Sequence, residues 1–384
     1  MKAIYFDHAA TTPVDPRVLE AMLPFFGERY GNPSELHRQG REARRAVETA
    51  RAEVAALVGA GEREIVFTSG GTEADNLALW GPLGAVGTPG RVMVSAVEHA
   101  AVGEAARALA RRGWAVDVVA VDADGVVDRR AFASTLRSDT RLASVMLANN
   151  VVGTLQPIAE LARLAHEHGV PFHTDAVQAV GALPVDVGAL GVDLLSLSGH
   201  KFYGPKGVGA LYVRRGTKLA PLLHGGGHER GLRSGTENVP GIVGLGAAAR
   251  LARAEMAERR PRLEALRDRL IDGALVAVPG VRLLGPRRLR LPGNACLAVS
   301  GVESEALVLR LDAAGVMAAG GPACASGAGE PSHVLVALGL SPDEARGSLR
   351  LSLGHGSTAE EVDRFLEVFP PIVEELRRAH PRAA

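Results

Sequence analysis

The chain has 384 residues, of which 47% are hydrophobic and 22% charged, and its 43 cationic and 43 anionic side chains cancel to a formal net charge of zero. That length allows two or three domains with a sizeable core, and the composition is that of an ordered globular protein. With no global field to draw in a polyanion, direct nucleic-acid binding and adhesion to an anionic membrane are poor expectations, so an anionic ligand needs a local site. No stretch reaches the roughly 18–20 uninterrupted apolar residues of a membrane helix. The opening residues carry no apolar signal region, so a cytoplasmic location is expected. Two chemically useful residue types are scarce: four lysines (Lys2, Lys201, Lys206, Lys218) and two cysteines (Cys296, Cys324). Two cysteines cannot form a disulfide framework, and both thiols should be free.

In chain order, apolar positions at helical spacing (Val47, Ala50, Val54, Leu57) predict an amphipathic helix over 37–58, stopped by Gly59. Strand-like runs follow at 64–68, 91–95, 116–121, 142–148, 170–174, 193–198 and 209–213, most separated by helical stretches such as 73–80, 99–112 and 157–168. This alternation predicts a mainly parallel sheet with helices on both faces, a fold that places ligands at the carboxyl ends of its strands. From about 239 a helical region runs to Asp272, with an interruption expected at Pro261. Thereafter a strand at 294–300, a helix at 303–314, a glycine-rich loop, a helix at 332–338, a strand at 348–353 and a closing helix from about 358 predict a smaller α+β domain. Ser357 and Glu360 read as the capping box of that last helix. The basic stretch 282–290 reads as a solvated strand pair. The expected domains are 15–255, and 1–14 together with 256–384.

Ser198-Gly199-His200-Lys201 directly follows an apolar strand. A lysine there is costly to keep charged, and desolvation favours the nucleophilic free amine a Schiff base requires; the same placement also suits a lysine snorkelling to solvent. Asp175 ends the run Pro171-Phe172-His173-Thr174. It could face the protonated ring nitrogen of pyridoxal phosphate or simply cap the next helix. Thr68-Ser69-Gly70-Gly71-Thr72-Glu73 lies between a strand and a helix, where backbone N–H groups suit a phosphate; a plain Gly-Gly turn with a threonine N-cap is the alternative. Cys296 sits within a strand and reads as a buried apolar residue. Cys324 lies in a segment, 315–329, with five glycines among its fifteen residues, expected to be a mobile loop.

Together these segments resemble the pyridoxal-phosphate enzymes of fold type I, within the class V aminotransferases, and more narrowly the cysteine desulfurases of the NifS/IscS type with the longer catalytic loop. The likeness spans nearly the whole chain. It includes Tyr5-Phe6-Asp7-His8-Ala9-Ala10-Thr11-Thr12, Gly31-Asn32-Pro33-Ser34, Val97-Glu98-His99, Asn149-Asn150, His173-Thr174-Asp175-Ala176, Ser198-Gly199-His200-Lys201, His224-Gly225-Gly226-Gly227-His228-Glu229, Arg233-Ser234-Gly235-Thr236-Glu237-Asn238 and Ala323-Cys324.

The resemblance implies a large cofactor-binding domain and a smaller α+β domain carrying the catalytic-cysteine loop. It makes Lys201 the Schiff-base lysine, puts Asp175 on the pyridine nitrogen, and stacks His99 on the ring with a part in proton transfer. Gln178 would bond the ring oxygen, with Asn150 nearby. Gly71, Thr72, Ser198 and His200 would hold the phosphate, joined by Thr236 from a second subunit of a homodimer. Asn150 and Arg350 would bind the substrate, Arg350 clamping its carboxylate through a planar two-pronged fork. Cys324 would take sulfur from L-cysteine as a persulfide, leaving L-alanine, and pass it to an iron–sulfur scaffold or a tRNA-thiolation protein. No intrinsic metal is expected, Cys324 serving at most as a transient iron–sulfur ligand. Selenocysteine lyase, an aminotransferase, or a non-catalytic sulfur carrier on the same scaffold are the alternatives. Pro322, Ala325 and Val151 depart from the family pattern, and Pro322 would stiffen the loop.

Overall fold

The computed structural model describes residues 3–321 and 332–379. Thirteen strands are found among them: β1 (Ile4–Tyr5), β2 (Ile65–Thr68), β3 (Arg91–Ser95), β4 (Ala115–Val119), β5 (Thr140–Ser144), β6 (Phe172–Asp175), β7 (Leu194–Ser198), β8 (Gly209–Val213), β9 (Val281–Leu283), β10 (Asn294–Val299), β11 (Val316–Met317), β12 (Ala319–Gly320) and β13 (Ser348–Ser352). Strands β2 to β8 form one sheet in the order β2-β8-β7-β6-β5-β3-β4. All its pairings are parallel except those of β8, which runs antiparallel to both β2 and β7. Strands β2, β6, β7 and β8 are buried along their whole length, as expected where helices cover both faces of a sheet.

The helix Arg38–Val58 begins where His37 Nδ1 accepts the Gly40 N–H and ends at Gly59 in the left-handed conformation, φ +69°. Within it Arg51 is buried and forms two 2.8 Å hydrogen bonds to the buried Glu229 carboxylate, which also accepts the Phe67 N–H. Removing one partner of such a pair strands a buried charge, a cost of about 3–5 kcal/mol. The pair fixes the start of the segment that carries Thr236.

A second core surrounds the four-stranded sheet β12-β13-β10-β9. The N-terminal segment joins it: β1 pairs in parallel with β11, and Phe6 is fully buried there.

Four local expectations need correcting. The helix that starts at Val239 is not interrupted at Pro261 but continues to Ala277. The carbonyl of Ala257, four residues before the proline, lies on an exposed turn, where water can take the place of the missing N–H. The final helix, Ala359–Ala379, is capped one residue later than the sequence suggests: Thr358 and Glu361 exchange the capping-box bonds, and the Ser357 hydroxyl accepts the Gly354 N–H instead. Within 282–290, Arg282 and Arg287 do face solvent and pair with Glu344 and Asp272. Arg290 is buried, and donates to the carbonyls of Val152, Pro286 and Asn294 at 2.7, 3.0 and 3.1 Å, tying the turn after Asn149 to the small sheet. The beginning of the glycine-rich stretch is ordered as β11 and β12, antiparallel pairing with β13 fixing the second of them.

Candidate active site

The carboxyl ends of β6 and β7 meet the helix N-terminus after β2 and one edge of the small sheet. Asp175, the last residue of β6, is buried with its carboxylate accepting the Val177 N–H at 2.8 Å. Burial raises its proton affinity, opposed by that N–H and by the charges of His99 and Lys201. Lys201 closes the short helical turn after β7 and donates from Nζ to the carbonyls of Ala9 and Ala10 at 2.6 and 2.8 Å. Burial, and secondarily the Arg350 guanidinium, lower its pKa from 10.5 to about 8, against Asp175 and Asp7. Its Nζ is thus turned to backbone carbonyls of the N-terminal segment, and burial makes the free amine easier to reach than in an ordinary lysine.

His99 is the N-cap of the helix Ala100–Ala110, its Nδ1 accepting the Ala101 N–H at 3.1 Å. One face of the residue is open to solvent, yet the protein around its ring lowers its pKa by desolvation, opposed by Asp175 and aided by Lys201 and His333. Asp75, His99 and Asp175 each present a donor atom, all within 4.8 Å of one another.

A cavity of about 400 Å³ adjoins these groups, lined by Gly71, Thr72, Ser198 and His200 together with Thr11, Ser69, Glu73 and Lys206. Glycines permit the close approaches beside it: a Cβ on Gly71 would lie 2.8 Å from the Val177 side chain at Cγ2, and one on Gly209 would lie 2.8 Å from the Gly70 backbone. The helix Gly71–Val86 aims its first N–H groups at this space. The threonine N-cap of the alternative reading is absent, the N-cap being Gly70; Glu73 accepts the Ser69 N–H and also pairs with Arg233. His200 bonds Thr11 Oγ1 at 3.1 Å, and burial, with Lys201 and Lys206 nearby, lowers its pKa to about 4, so it is a neutral donor.

Arg350 comes from β13. It is buried, donates to Asp7 Oδ1 at 2.7 Å and to the Asn150 carbonyl at 3.1 Å, and its Nε has no partner among the described residues. Gln178 donates to the Ala9 carbonyl at 3.0 Å. Thr236 is exposed and does not line the cavity of its own chain. Cys324, Pro322 and Ala325 lie outside the described residues. Val151 is buried in an apolar cluster with Val97, Met146 and Cys296, an environment that suits valine and would penalise a carboxylate. Cys296 is fully buried, as expected, and burial raises its thiol pKa to about 11.

Three groups received no role from the sequence. The segment Asp7–Thr12 is pinned by Ala9 N–H to Ser352 Oγ and by Thr12 Oγ1 to the His200 carbonyl, so it forms a wall of the site. Lys206 lines the phosphate-sized cavity; as one of four lysines, five residues from Lys201, it could have been flagged. Asp75, Glu98 and His173 form a buried layer below Asp175, and their position inside apolar runs was the available signal.

Residues 4–365 match the model of the aminotransferase class-V family. The chain is 50% identical over 381 residues to a protein named cysteine desulfurase IscS from Methanosarcina thermophila, covering 99% of this chain and 94% of that protein. A protein of the same name from Dictyoglomus turgidum is 48% identical, with 99% and 97% covered. Among solved structures, one titled as a NifS-like protein superposes with a TM-score of 0.92 at 39% identity, covering 97% of this chain and all of that one. The chain therefore belongs to the class-V aminotransferase family, in its cysteine desulfurase branch.

Proposed function

We propose that the protein moves the sulfur of L-cysteine onto its own Cys324, releasing L-alanine, in a cleft built by Lys201, Asp175 and the cradle around Gly71. The family depends on pyridoxal phosphate, and the residues present fit that group. A buried carboxyl suits a protonated ring nitrogen, a lysine with a lowered pKa suits an aldehyde, and a cavity framed by helix N–H groups, hydroxyls and Lys206 suits a phosphate. The convergence of Lys201 and Asp175 beside that cavity is the observation that carries the reading.

Gly71, Thr72, Ser198 and His200 would hold the phosphate, Asp175 the ring nitrogen, Gln178 the ring oxygen, and His99 the ring face. When bound, pyridoxal phosphate supplies an electron sink for the bonds at the substrate's α and β carbons. Arg350 receives the substrate carboxylate, with Asn150 beside it. Lys201 moves the proton at the substrate's Cα, for which an amine of pKa about 8 is well matched. The Cys324 thiolate attacks the substrate sulfur as its C–S bond breaks, so that L-cysteine and one enzyme thiol become L-alanine and one enzyme persulfide. The outer sulfur then passes to a protein acceptor, an iron–sulfur scaffold or a tRNA-thiolation protein.

A homodimer in the cytoplasm is part of this proposal. The exposed Thr236, the exposed Leu223, whose carbonyl accepts the Ser234 N–H, and a cleft of about 710 Å³ from Thr72 and His99 to Leu222 support a second subunit completing the site. Among the described residues no helix is long and apolar enough to cross a membrane. The division into 15–255 and 1–14 with 256–384 is supported by the separate cores, although the helix Val239–Ala277 passes through both.

Incubation with L-cysteine and a reductant, measuring alanine and sulfide together, tests the reading. Equal amounts are expected, and Cys324→Ser should abolish both. Alanine formation retained in that variant would refute the desulfurase chemistry.

A further inference from the structure

The layer beneath the cleft holds more acid than its hydrogen bonds can support as anions. Asp75, on the helix Gly71–Val86, is 1% exposed, and its Oδ1 has no hydrogen-bond partner among the described residues. The imidazole nearest to it, His173 Nε2, is 3.7 Å away. His173 cannot supply a positive charge there: it is fully buried with one ring nitrogen on Ser144 Oγ at 2.8 Å and the other on Ser196 Oγ at 3.0 Å, which suits the neutral ring. Asp175, by contrast, has the Val177 N–H on its carboxylate and the charge of Lys201 to favour its anion. An oxygen of each aspartate lies within 4.8 Å of one of the other, and two buried carboxyls that close do not both ionise.

The charged and titratable groups facing Asp75 are accounted for. Asp175 and His173 come from β6, and Glu98 and His99 from the loop after β3. The Ser196 hydroxyl on β7 is the one group that favours its anion, and burial and Asp175 outweigh it. On its own helix only Glu73 is titratable, and that side chain is turned to Ser69 and Arg233.

We propose that Asp75 is a neutral carboxylic acid in the folded protein and acts as a positioning residue for Asp175. It holds the proton that the pair must keep, which leaves the single negative charge on the carboxylate facing the ring nitrogen of pyridoxal phosphate. This rests on the reading of Asp175 given above. The cofactor's ring N–H would offset the charge of Asp175, so loading it should make Asp75 easier to ionise, and by reciprocity the cofactor should bind more tightly once Asp75 loses its proton.

Infrared difference spectroscopy of the full-length protein, grown with and without aspartate labelled with carbon-13 at its side-chain carboxyl, tests this. A carboxylic-acid carbonyl band that shifts with the label is expected at neutral pH, and Asp75→Asn should remove it. In Asp175→Asn the pH at which the band disappears should fall by about one unit or more, and loading pyridoxal phosphate onto the wild type should move it the same way. No labelled acid band at neutral pH, or one that persists in Asp75→Asn, would overturn the proposal. If Asp75→Asn fails to fold, the wild-type band and its shift in Asp175→Asn decide alone; an unshifted midpoint overturns the coupling. Wild-type affinity for pyridoxal phosphate in Asp175→Asn would instead refute the reading of Asp175, leaving the protonation of Asp75 standing.

Discussion

At one end of the cleft, the proposed phosphate cradle is assembled from helix N–H groups, the hydroxyls of Thr11, Thr72 and Ser198, a neutral His200 and Lys206. At the other end a single guanidinium, Arg350, proposed to take the substrate carboxylate, is already bonded to a carboxylate of its own chain, Asp7, at 2.7 Å. The first end spreads its binding over many small contributions held by backbone geometry, so no one side chain is indispensable. The second concentrates it in one side chain whose fork must be shared. Between them stands Lys201, close enough to Arg350 and Asp7 to feel both charges, in opposite directions.

Substitutions along the cleft should therefore differ in size. Removing the amine between the two ends, Lys201→Ala, should lower the rate of alanine formation by about a thousandfold or more, since that amine is the group proposed to move the Cα proton. Arg350→Lys should raise the KM for L-cysteine by about ten- to a hundredfold with little change in cofactor affinity, because a point charge cannot replace a two-pronged fork. At the distributed end, Ser198→Ala should weaken pyridoxal phosphate binding by only roughly two- to tenfold, the worth of one neutral hydrogen bond; a hundredfold loss would show that the cradle is not distributed at all.

The pH dependence sharpens the same contrast. Lys201 loses its proton as pH rises through about 8, so the rate of cofactor uptake by the cofactor-free protein should climb through that pH, followed by visible absorbance. Asp7 raises the pKa of Lys201, so Asp7→Asn should move the midpoint to lower pH. A midpoint unmoved by Asp7→Asn would mean that the two charges are screened from each other. The smallest effect belongs to Cys296, which is fully buried and pairs across β10 and β13 with Arg350. Cys296→Ala should leave sulfide production intact and cost only about 1 kcal/mol of stability, read by denaturant unfolding.

Local sequence signals carried the element types far. The alternation of short apolar strands with helices, the glycine stop at Gly59, and the buried character of Cys296 follow from periodicity, left-handed backbone freedom and strand context, and the structure agrees with each. Boundaries and exceptions fared worse where solvent or distant partners decided. Pro261 is tolerated on an exposed turn of the helix, where solvent can reach the orphaned carbonyl of Ala257. Arg290 is buried because the Val152 carbonyl, 138 residues away in the chain, joins those of nearby Pro286 and Asn294 in satisfying its guanidinium.

For the site, the ordered motifs from Tyr5 to Cys324 identified the family and named the cleft residues before any geometry was available. They could do so because the local requirements are local in sequence: glycines where backbones must approach, a lysine and a carboxylate at strand ends. What only the tertiary structure decided is the electrostatic setting of those residues. Whether Lys201 is desolvated, whether Arg350 already has a partner, and which of two aspartates keeps its proton all depend on groups far apart in the chain, brought within a few ångströms by the packing of β6, β7 and β13 against the N-terminal segment.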